Sequence, residues 1–193
     1  MSRLSAYLMV GLGALLMLLP FYFMFVFATH SKSDIFRLPP PLFFGADFSG
    51  NLAILLKQIP FWKNLGWSFY VASISTALTL LFSSMGGYAF AMFEFRGKKT
   101  LFALVMGTML IPPFLGMIPT FMIMDLLGWI DQPRALYLPG AAGAFGIFLM
   151  RQFIASSIPA SLVEAARMDG CSELGIFFKV ILPLLGPALG TLG

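Results

Sequence analysis

Long stretches without a charged side chain set the first constraint on this sequence. Three of them run from Tyr7 to Phe27, from Trp67 to Phe93 and from Thr100 to Met124. A helix rises about 1.5 Å per residue, so about 20 apolar residues cross the roughly 30 Å hydrocarbon core of a bilayer. The pattern therefore predicts three membrane-spanning helices.

Two shorter uncharged blocks follow. The block from Ala135 to Met150 is marginal for a span and suits a buried helix better, because its glycines and alanines favour close helix packing. The last block runs from Val180 to Gly193. We assign all of 1–193 to one transmembrane domain, with spans at about 6–28, 67–93, 100–124 and 135–151, an external linker at 29–66, a cytoplasmic loop at 152–179 and an incomplete fifth span at 180–193.

The composition excludes a soluble globular domain. Hydrophobic residues make up 59% of the chain and charged residues 10%, against roughly 25% charged in an average soluble domain. One Cys and one His exclude a disulfide framework and a metal cage of His and Cys ligands. We predict an all-α, polytopic membrane protein that has lipid as its solvent and no nucleic-acid partner, since a net charge of +4 fits loop asymmetry.

The first block could also be a cleaved signal peptide. Its apolar core is longer than the usual roughly 7–15 residues, however, and no small-residue cleavage site follows Phe27. We therefore expect a retained first span.

Basic residues in the short links predict the orientation. The link Glu94–Lys99 carries three basic residues, whereas Asp125–Arg134 carries one. Positively charged short loops stay in the cytoplasm. The first link and the N-terminus are therefore predicted to be cytoplasmic and residues 29–66 external, where Asn51–Ile59 predicts a short amphipathic helix at the membrane interface.

Small residues mark one face of the second span. Ser83, Gly87 and Ala91 recur every four residues, which places them on the same side of a helix. Such a face allows another helix to approach closely, either within this chain or from a partner subunit.

Prolines interrupt the third span. Pro112, Pro113 and Pro119 remove backbone donors and predict a broken helix, either beside a translocation path or simply kinked by packing. No span carries a charge at its centre, which argues against a proton-coupled pump or a voltage-gated channel and suits a neutral polar solute. By location alone, Pro112–Pro119 and Gly140–Phe145 are candidates for solute contact.

The cytoplasmic loop carries a helix–turn–helix pattern. Ser161 and Glu164 have capping-box spacing, which predicts a helix that begins near residue 162. Gly170 is a natural helix stop, and Ser172 can cap a second short helix, Glu173–Phe178. The first helix is predicted to present a smooth face for docking on another protein, formed by Leu162, Ala165, Ala166 and Asp169.

This loop resembles the "EAA" loop of ABC-importer permeases. The shared pattern is Glu164-Ala165-Ala166, three residues, Gly170, nine residues, Val180, one residue and Leu182-Pro183, with Ile in the family where this chain has Val180. Nearly the whole chain is similar to carbohydrate-uptake permeases of the maltose and glycerol-phosphate type, through Asn64, Tyr88-Ala89-Phe90-Ala91, Phe95-Arg96-Gly97-Lys98, Met117-Ile118-Pro119, Leu127-Gly128-Trp129-Ile130-Asp131, Arg151-Gln152-Phe153 and Ile158-Pro159.

The resemblance implies a type I ABC-importer bundle and a set of partners. These are a second permease subunit, two cytoplasmic ATP-binding subunits and an extracytoplasmic solute-binding protein that delivers a sugar or a polyol. ATP and Mg would be bound by the ATPase subunits, and this chain is expected to bind no cofactor or metal. No nucleophile–base pair suggests that the chain is itself an enzyme.

The resemblance also implies roles for single residues. Glu164 would pair with a basic residue of the ATPase subunit, Gly170 would permit the bend, and Asp169 would make a secondary contact. The other residues of the coupling-loop pattern are Ala165, Ala166, Leu182 and Pro183.

Two other functions stay open. A secondary transporter or channel would work without ATP and would need no ATPase-docking loop. A truncated permease would insert into the membrane and transport nothing. Family members usually continue with further spans after the docking loop, so we expect a C-terminally truncated chain with a formed loop and a poorly supported last segment.

Overall fold

The computed structural model describes residues 3–193, with the side chains of residues 3, 4 and 6 outside the description. Within that range the chain forms helices joined by turns and no strand, which confirms the all-α prediction. It divides into two compact units, one that ends at Leu65 and one that covers Gly66–Gly193.

The first unit contains one long helix and two short ones: α1 (Arg3–Ala28), α2 (Lys32–Ile35) and α3 (Phe48–Gln58). The side-chain amide of Asn51, in α3, donates to the carbonyls of Ala28 at 3.0 Å and His30 at 2.9 Å. These bonds satisfy acceptors left open where α1 ends. The segment predicted to be an external linker thus contains a helix that starts at Phe48, slightly earlier than predicted.

The second unit contains most of the remaining helices. Their order is α4 (Phe61–Met92, which begins before the unit boundary), α5 (Lys98–Thr108), α6 (Met117–Leu126), α7 (Arg134–Tyr137), α8 (Ala144–Ser157), α9 (Ala160–Met168), α10 (Glu173–Ile176), α11 (Leu182–Leu184) and α12 (Gly186–Leu192).

Two of the described helices are long and apolar enough to cross a membrane unbroken, over Tyr7–Ala28 and Phe61–Met92. Three further pairs of helices would each qualify as one bent span. One such pair is α5 with Pro113–Leu126, which are bent by 93°. The third span is therefore broken at the prolines, because Pro112 and Pro113 cannot donate backbone hydrogen bonds there.

The single helix expected over Ala135–Met150 is wrong. The block contains the short α7, a non-helical stretch over 138–143 and only the first half of α8. Pro139 has no backbone N–H to donate to a continuing helix, and Gly143 is extended with a ψ of 138°. Helix α8 extends beyond the end of the block, to Ser157.

The expectation of a poorly supported last segment is also wrong. A π-helical segment, Phe177–Ile181, continues α10 and leads into α11 and α12. Ile181 and Leu185 are fully buried. Pro183 and Pro187 fit because each lies in the first turn of its helix, where a backbone donor is not needed.

The core of the second unit lies where the end of α4 meets α8 and the helices from α9 onward. Its buried members are Tyr88, Met150, Ile154, Ile158, Val163, Ile176, Phe177, Ile181, Leu185 and Ala188. The small-residue face of α4 packs against α8 within the chain, since a Cβ at Gly87 would lie 2.5 Å from the Cβ of Met150. Gly87 and the buried Ser83 therefore take part in packing within the chain.

Candidate functional site

The segment Ala160–Ile176, which we call the α9–α10 turn, holds most of the predicted site residues. Helix α9 bends by 83° away from α8 at the break before Ala160. Val163, only 1% exposed, anchors α9 in the core. Gly170 has a φ of +78°, and its N–H donates to the carbonyl of Arg167 at 3.0 Å. Because that backbone conformation favours glycine, Gly170 ends α9 and reverses the chain as predicted.

The two serine caps have opposite outcomes. Ser172 caps α10 as predicted, with its hydroxyl oxygen accepting from the N–H of Gly175 at 3.2 Å. The capping box of Ser161 with Glu164 is wrong, because α9 begins at Ala160 and has Pro159 as its N-cap. Pro159 has a φ of −63°, which prepares the start of the helix, so Ser161 lies inside the first turn.

The predicted docking face is only partly exposed. Glu164 and Ala165 face solvent, and Met168, one turn after Glu164, is 88% exposed. Ala166 instead packs partly against the core. The outer face of α9 therefore presents the Glu164 carboxylate beside apolar surface, and Ala166 is not part of that face.

Two predicted site residues lie elsewhere. Leu182 and Pro183 belong to α11, beyond the π-helical segment, and Leu182 packs against the core. Asp169 is exposed and caps α9, with its N–H donating to the carbonyl of Ala165 at 2.9 Å.

A polar cluster that was not predicted from the sequence joins three helices. Arg167 of α9 donates through Nε to Glu173 Oε1 at 2.6 Å, and the hydroxyl of Tyr88 in α4 donates to Glu173 Oε2 at 2.9 Å. The hydrogen bond from Arg167 lowers the pKa of the Glu173 carboxyl, and the hydrogen bond from Tyr88 lowers it by a smaller amount. The same pairing raises the pKa of Arg167. Only 10% of the residues are charged, so the rarity of charged side chains was the sequence signal that could have pointed to Arg167 and Glu173.

A second feature of this unit is a cavity of about 1040 Å³ beside the proline break. Its walls are mainly apolar, with an indole and a few polar groups from Trp67, Thr120, Asp131 and Gln132. Of the two regions named for solute contact, Pro112–Pro119 contributes wall residues and Gly140–Phe145 contributes none. Among the described residues, no group of three or more His, Cys, Asp or Glu side chains is arranged to hold a metal ion.

The polar wall of the cavity has a fixed backbone. Gly128 and Asp131 have positive φ angles of 63° and 59°. The N–H of Trp129 donates to the carbonyl of Met124 at 2.8 Å, and the guanidinium of Arg134 lies 5.4 Å from the Trp129 ring centre. These contacts restrain the backbone on either side of Asp131 and Gln132, which line the cavity.

Comparison with known families identifies the family of this chain from the region that contains the α9–α10 turn. Residues 80–192 match the family described as the binding-protein-dependent transport system inner membrane component. The chain belongs to this family. That membership confirms the resemblance to permeases of binding-protein-dependent importers.

Individual relatives of the chain are permease proteins as well. The chain is 40% identical over 132 residues to the arabinooligosaccharides transport system permease protein AraQ of Halalkalibacterium halodurans, covering 68% of this chain and 47% of the relative. It is 32% identical to the sn-glycerol-3-phosphate transport system permease protein UgpE of Pectobacterium atrosepticum, covering 97% of this chain and 68% of that one. The match thus spans about half the length of the first relative.

A solved structure gives the same fold. It is a bacterial ABC transporter involved in the import of the acidic polysaccharide alginate, matched with a TM-score of 0.81 and 30% identity. The match covers all of this permease chain and 70% of the solved chain. The predicted fold class, an all-α importer permease, is therefore confirmed.

Proposed function

We propose that this chain is the membrane-spanning permease subunit of an ATP-driven importer for a sugar or a related polyol. Its family and the transport systems of its relatives support this function. The partners are a second permease subunit, two cytoplasmic ATPase subunits that bind ATP and Mg, and an extracytoplasmic binding protein that delivers the solute.

The observation that carries the proposal is the shape of the α9–α10 turn. A short helix is anchored from beneath by Val163 and presents Glu164 and the 88% exposed Met168 outward. An exposed carboxylate beside exposed apolar surface suits a protein groove that offers a basic residue, since the apolar area supplies affinity and the charge fixes register. The ATPase subunit is the partner with such a groove.

Transport then follows from two conformations of the membrane helices. ATP binding on the partner subunits favours one conformation and hydrolysis releases it, so the path alternates between outward and inward access. This chain contributes half of the path and one docking turn. The positive link between α4 and α5 supports a cytoplasmic position for that turn and for the N-terminus.

We place the solute contact at the cavity beside the proline break. An indole from Trp67 can stack on the apolar face of a sugar ring, while Asp131 and Gln132 can pair with its hydroxyls. Trp67→Ala is expected to raise the KM for uptake about three- to tenfold. Trp62→Ala is the matched control, because Trp62 belongs to the same helix and does not line the cavity. An equal rise in KM for both variants would remove this site from the path.

The coupling role is tested by charge reversal at Glu164. In proteoliposomes that contain all partners, Glu164→Lys is expected to lower ATP-dependent uptake at least about tenfold, because a like charge then faces the basic residue of the ATPase. The membrane level of the chain should stay normal. Glu94→Lys reverses another exposed charge, outside the α9–α10 turn, and should leave uptake unchanged.

Other outcomes would favour other functions. Unchanged uptake by Glu164→Lys would contradict docking through this helix. Uptake by the original chain without ATP would indicate a secondary transporter or channel. Insertion with no uptake at all would indicate a permease fragment that does not transport.

A further inference from the structure

Three helices of the second unit meet at one carboxylate. Glu173, the first residue of α10, accepts from Arg167 of α9 on one oxygen and from Tyr88 of α4 on the other, at 2.6 and 2.9 Å. A second Arg167 nitrogen, Nη2, lies 3.3 Å from the oxygen that Tyr88 contacts. We call these three side chains the Tyr88 link.

Aromatic packing holds the link in one position. Tyr88 is only 4% exposed, and its ring lies 5.3 Å from Phe93 and 5.9 Å from Phe177, measured between centroids. The guanidinium of Arg167 lies 5.5 Å from the Phe93 ring centre. The hydroxyl of Tyr88 therefore has little freedom to leave Glu173 unless α4 itself moves.

We propose that the Tyr88 link transmits displacement of the α9–α10 turn to helix α4. This inference rests on the proposed function, because it gives a mechanical path from the helix that carries Glu164 to a membrane-spanning helix. Arg167 lies three residues after Glu164 and so on a neighbouring part of the same helix surface. A force applied at the outer face of α9 thus reaches Glu173, and through it Tyr88.

Tyr88 occupies a position on α4 where a transmitted displacement can change helix packing. The preceding residue, Gly87, lies where α4 touches the backbone of α8, with a would-be Cβ 2.8 Å from the Arg151 nitrogen. A pull on Tyr88 therefore acts next to a close approach of two helices. Because packed helices shift between discrete arrangements rather than deform smoothly, a small displacement there changes how α4 and α8 pack.

Stability alone does not account for this arrangement. The side chains of Arg167 and Glu173 are 38% and 42% exposed, and exposed ion pairs contribute little to folding. The fork of two Arg167 nitrogens on one carboxylate instead fixes orientation. Arg167, Glu173 and Tyr88 are thus positioning residues, which act on the transport cycle through the helices that they join.

The test separates transmission from docking. Tyr88→Phe removes one hydroxyl and keeps the aromatic packing, and Glu173→Gln removes the charge that Arg167 contacts. With all partners in proteoliposomes, each variant should keep the original amount of bound ATPase subunit and its ATP hydrolysis. Each should transport at least about fivefold less solute per ATP hydrolysed, the lower end of typical coupling between sites.

A double variant and a control sharpen the result. If the link works in series, Tyr88→Phe combined with Glu173→Gln should lose no more than Glu173→Gln alone. Asp34→Asn is the control, since it breaks the 3.4 Å pair of Asp34 with Arg37, which belongs to the first unit and not to the Tyr88 link. It should transport the original amount per ATP.

Three results would overturn the proposal. Original transport per ATP in Tyr88→Phe would show that the hydroxyl carries no displacement. Loss of bound ATPase subunit or of membrane insertion in that variant would assign Tyr88 to docking or folding instead. Absence of ATP-dependent uptake in the original chain would remove the proposed function itself, and the link with it.

Discussion

At the scale of the residue, the missing side chain of Gly87 is what lets α4 and α8 touch. Gly87→Ala would place a Cβ 2.5 Å from the Cβ of Met150 and 2.9 Å from its carbonyl carbon, so one helix has to move. We expect a loss of about 1–3 kcal/mol in stability, as for other overpacked cores. Thermal unfolding of the detergent-solubilised protein, followed by circular dichroism, measures it.

Gly66→Ala is the matched control in the same helix. A Cβ at Gly66 meets nothing within 4 Å, so the variant should gain about 0.5–1 kcal/mol from the better helix propensity of alanine. Equal thermal midpoints for Gly87→Ala and the original chain would show that the contact with α8 is loose.

Acid should loosen the α9–α10 turn through Glu173. Its usual pKa of 4.5 is lowered in the folded protein by the hydrogen bonds from Arg167 and Tyr88. The stabilisation is therefore fully present above about pH 4.5 and is lost as the pH falls through the lowered pKa. A spin label on the exposed Cys171 should gain mobility over that range, as seen by electron paramagnetic resonance.

Glu173→Gln gives the comparison for this pH effect. The variant lacks the titrating carboxyl, so its label should already be more mobile at neutral pH and should respond less to acid. A full acid response in Glu173→Gln would assign the loosening to another group.

Residue roles that depend on local backbone could be predicted from the sequence, and those that depend on distant contacts could not. Gly170 and Ser172 were predicted because a left-handed turn and an N-cap each need particular residue types. Tyr88 and Glu173 are 85 positions apart, and no local pattern relates them.

At the scale of the element, the start of α9 shows which signal dominates when two compete. Pro159 begins the helix before Ser161 can cap it, so of the two serines it is Ser172 that acts as an N-cap. Ser172→Ala is expected to lower stability by about 1 kcal/mol, whereas Ser161→Ala should change it by less than about 0.5 kcal/mol. Equilibrium unfolding of both variants makes the comparison, and a larger loss for Ser161→Ala would restore the capping box.

The breaks in the apolar blocks follow the same logic. The third block was expected to break because Pro112 and Pro113 stand together within it. The fourth was expected to be continuous, yet Pro139 and Gly143 divide it. Apolar content predicts where a chain enters lipid, but backbone chemistry decides where a helix can continue.

At the scale of the whole molecule, the proposed orientation can be tested without adding a cysteine. Cys171 is the single cysteine and is exposed in the α9–α10 turn. A membrane-impermeant maleimide should label it in inside-out vesicles and at least about tenfold less in intact spheroplasts, because the turn is proposed to be cytoplasmic.

Cys171→Ser is the background control for this experiment. Solubilisation of the spheroplasts should recover full labelling, which shows that the thiol was shielded and not oxidised. Strong labelling of intact spheroplasts would reverse the orientation and place the α9–α10 turn away from any cytoplasmic ATPase.

The π-helical segment Phe177–Ile181 sets the direction in which everything after it faces. The N–H of Leu182 bonds to the carbonyl of Phe177, five positions back, so this stretch is an α-helix with one residue more than its turn needs. Each residue of an α-helix advances about 100° around the axis. Deleting one residue here would therefore act as a rotation: Leu185 and Ala188, now buried, would turn away from the core, and the face that α12 offers to α8 would be a different one.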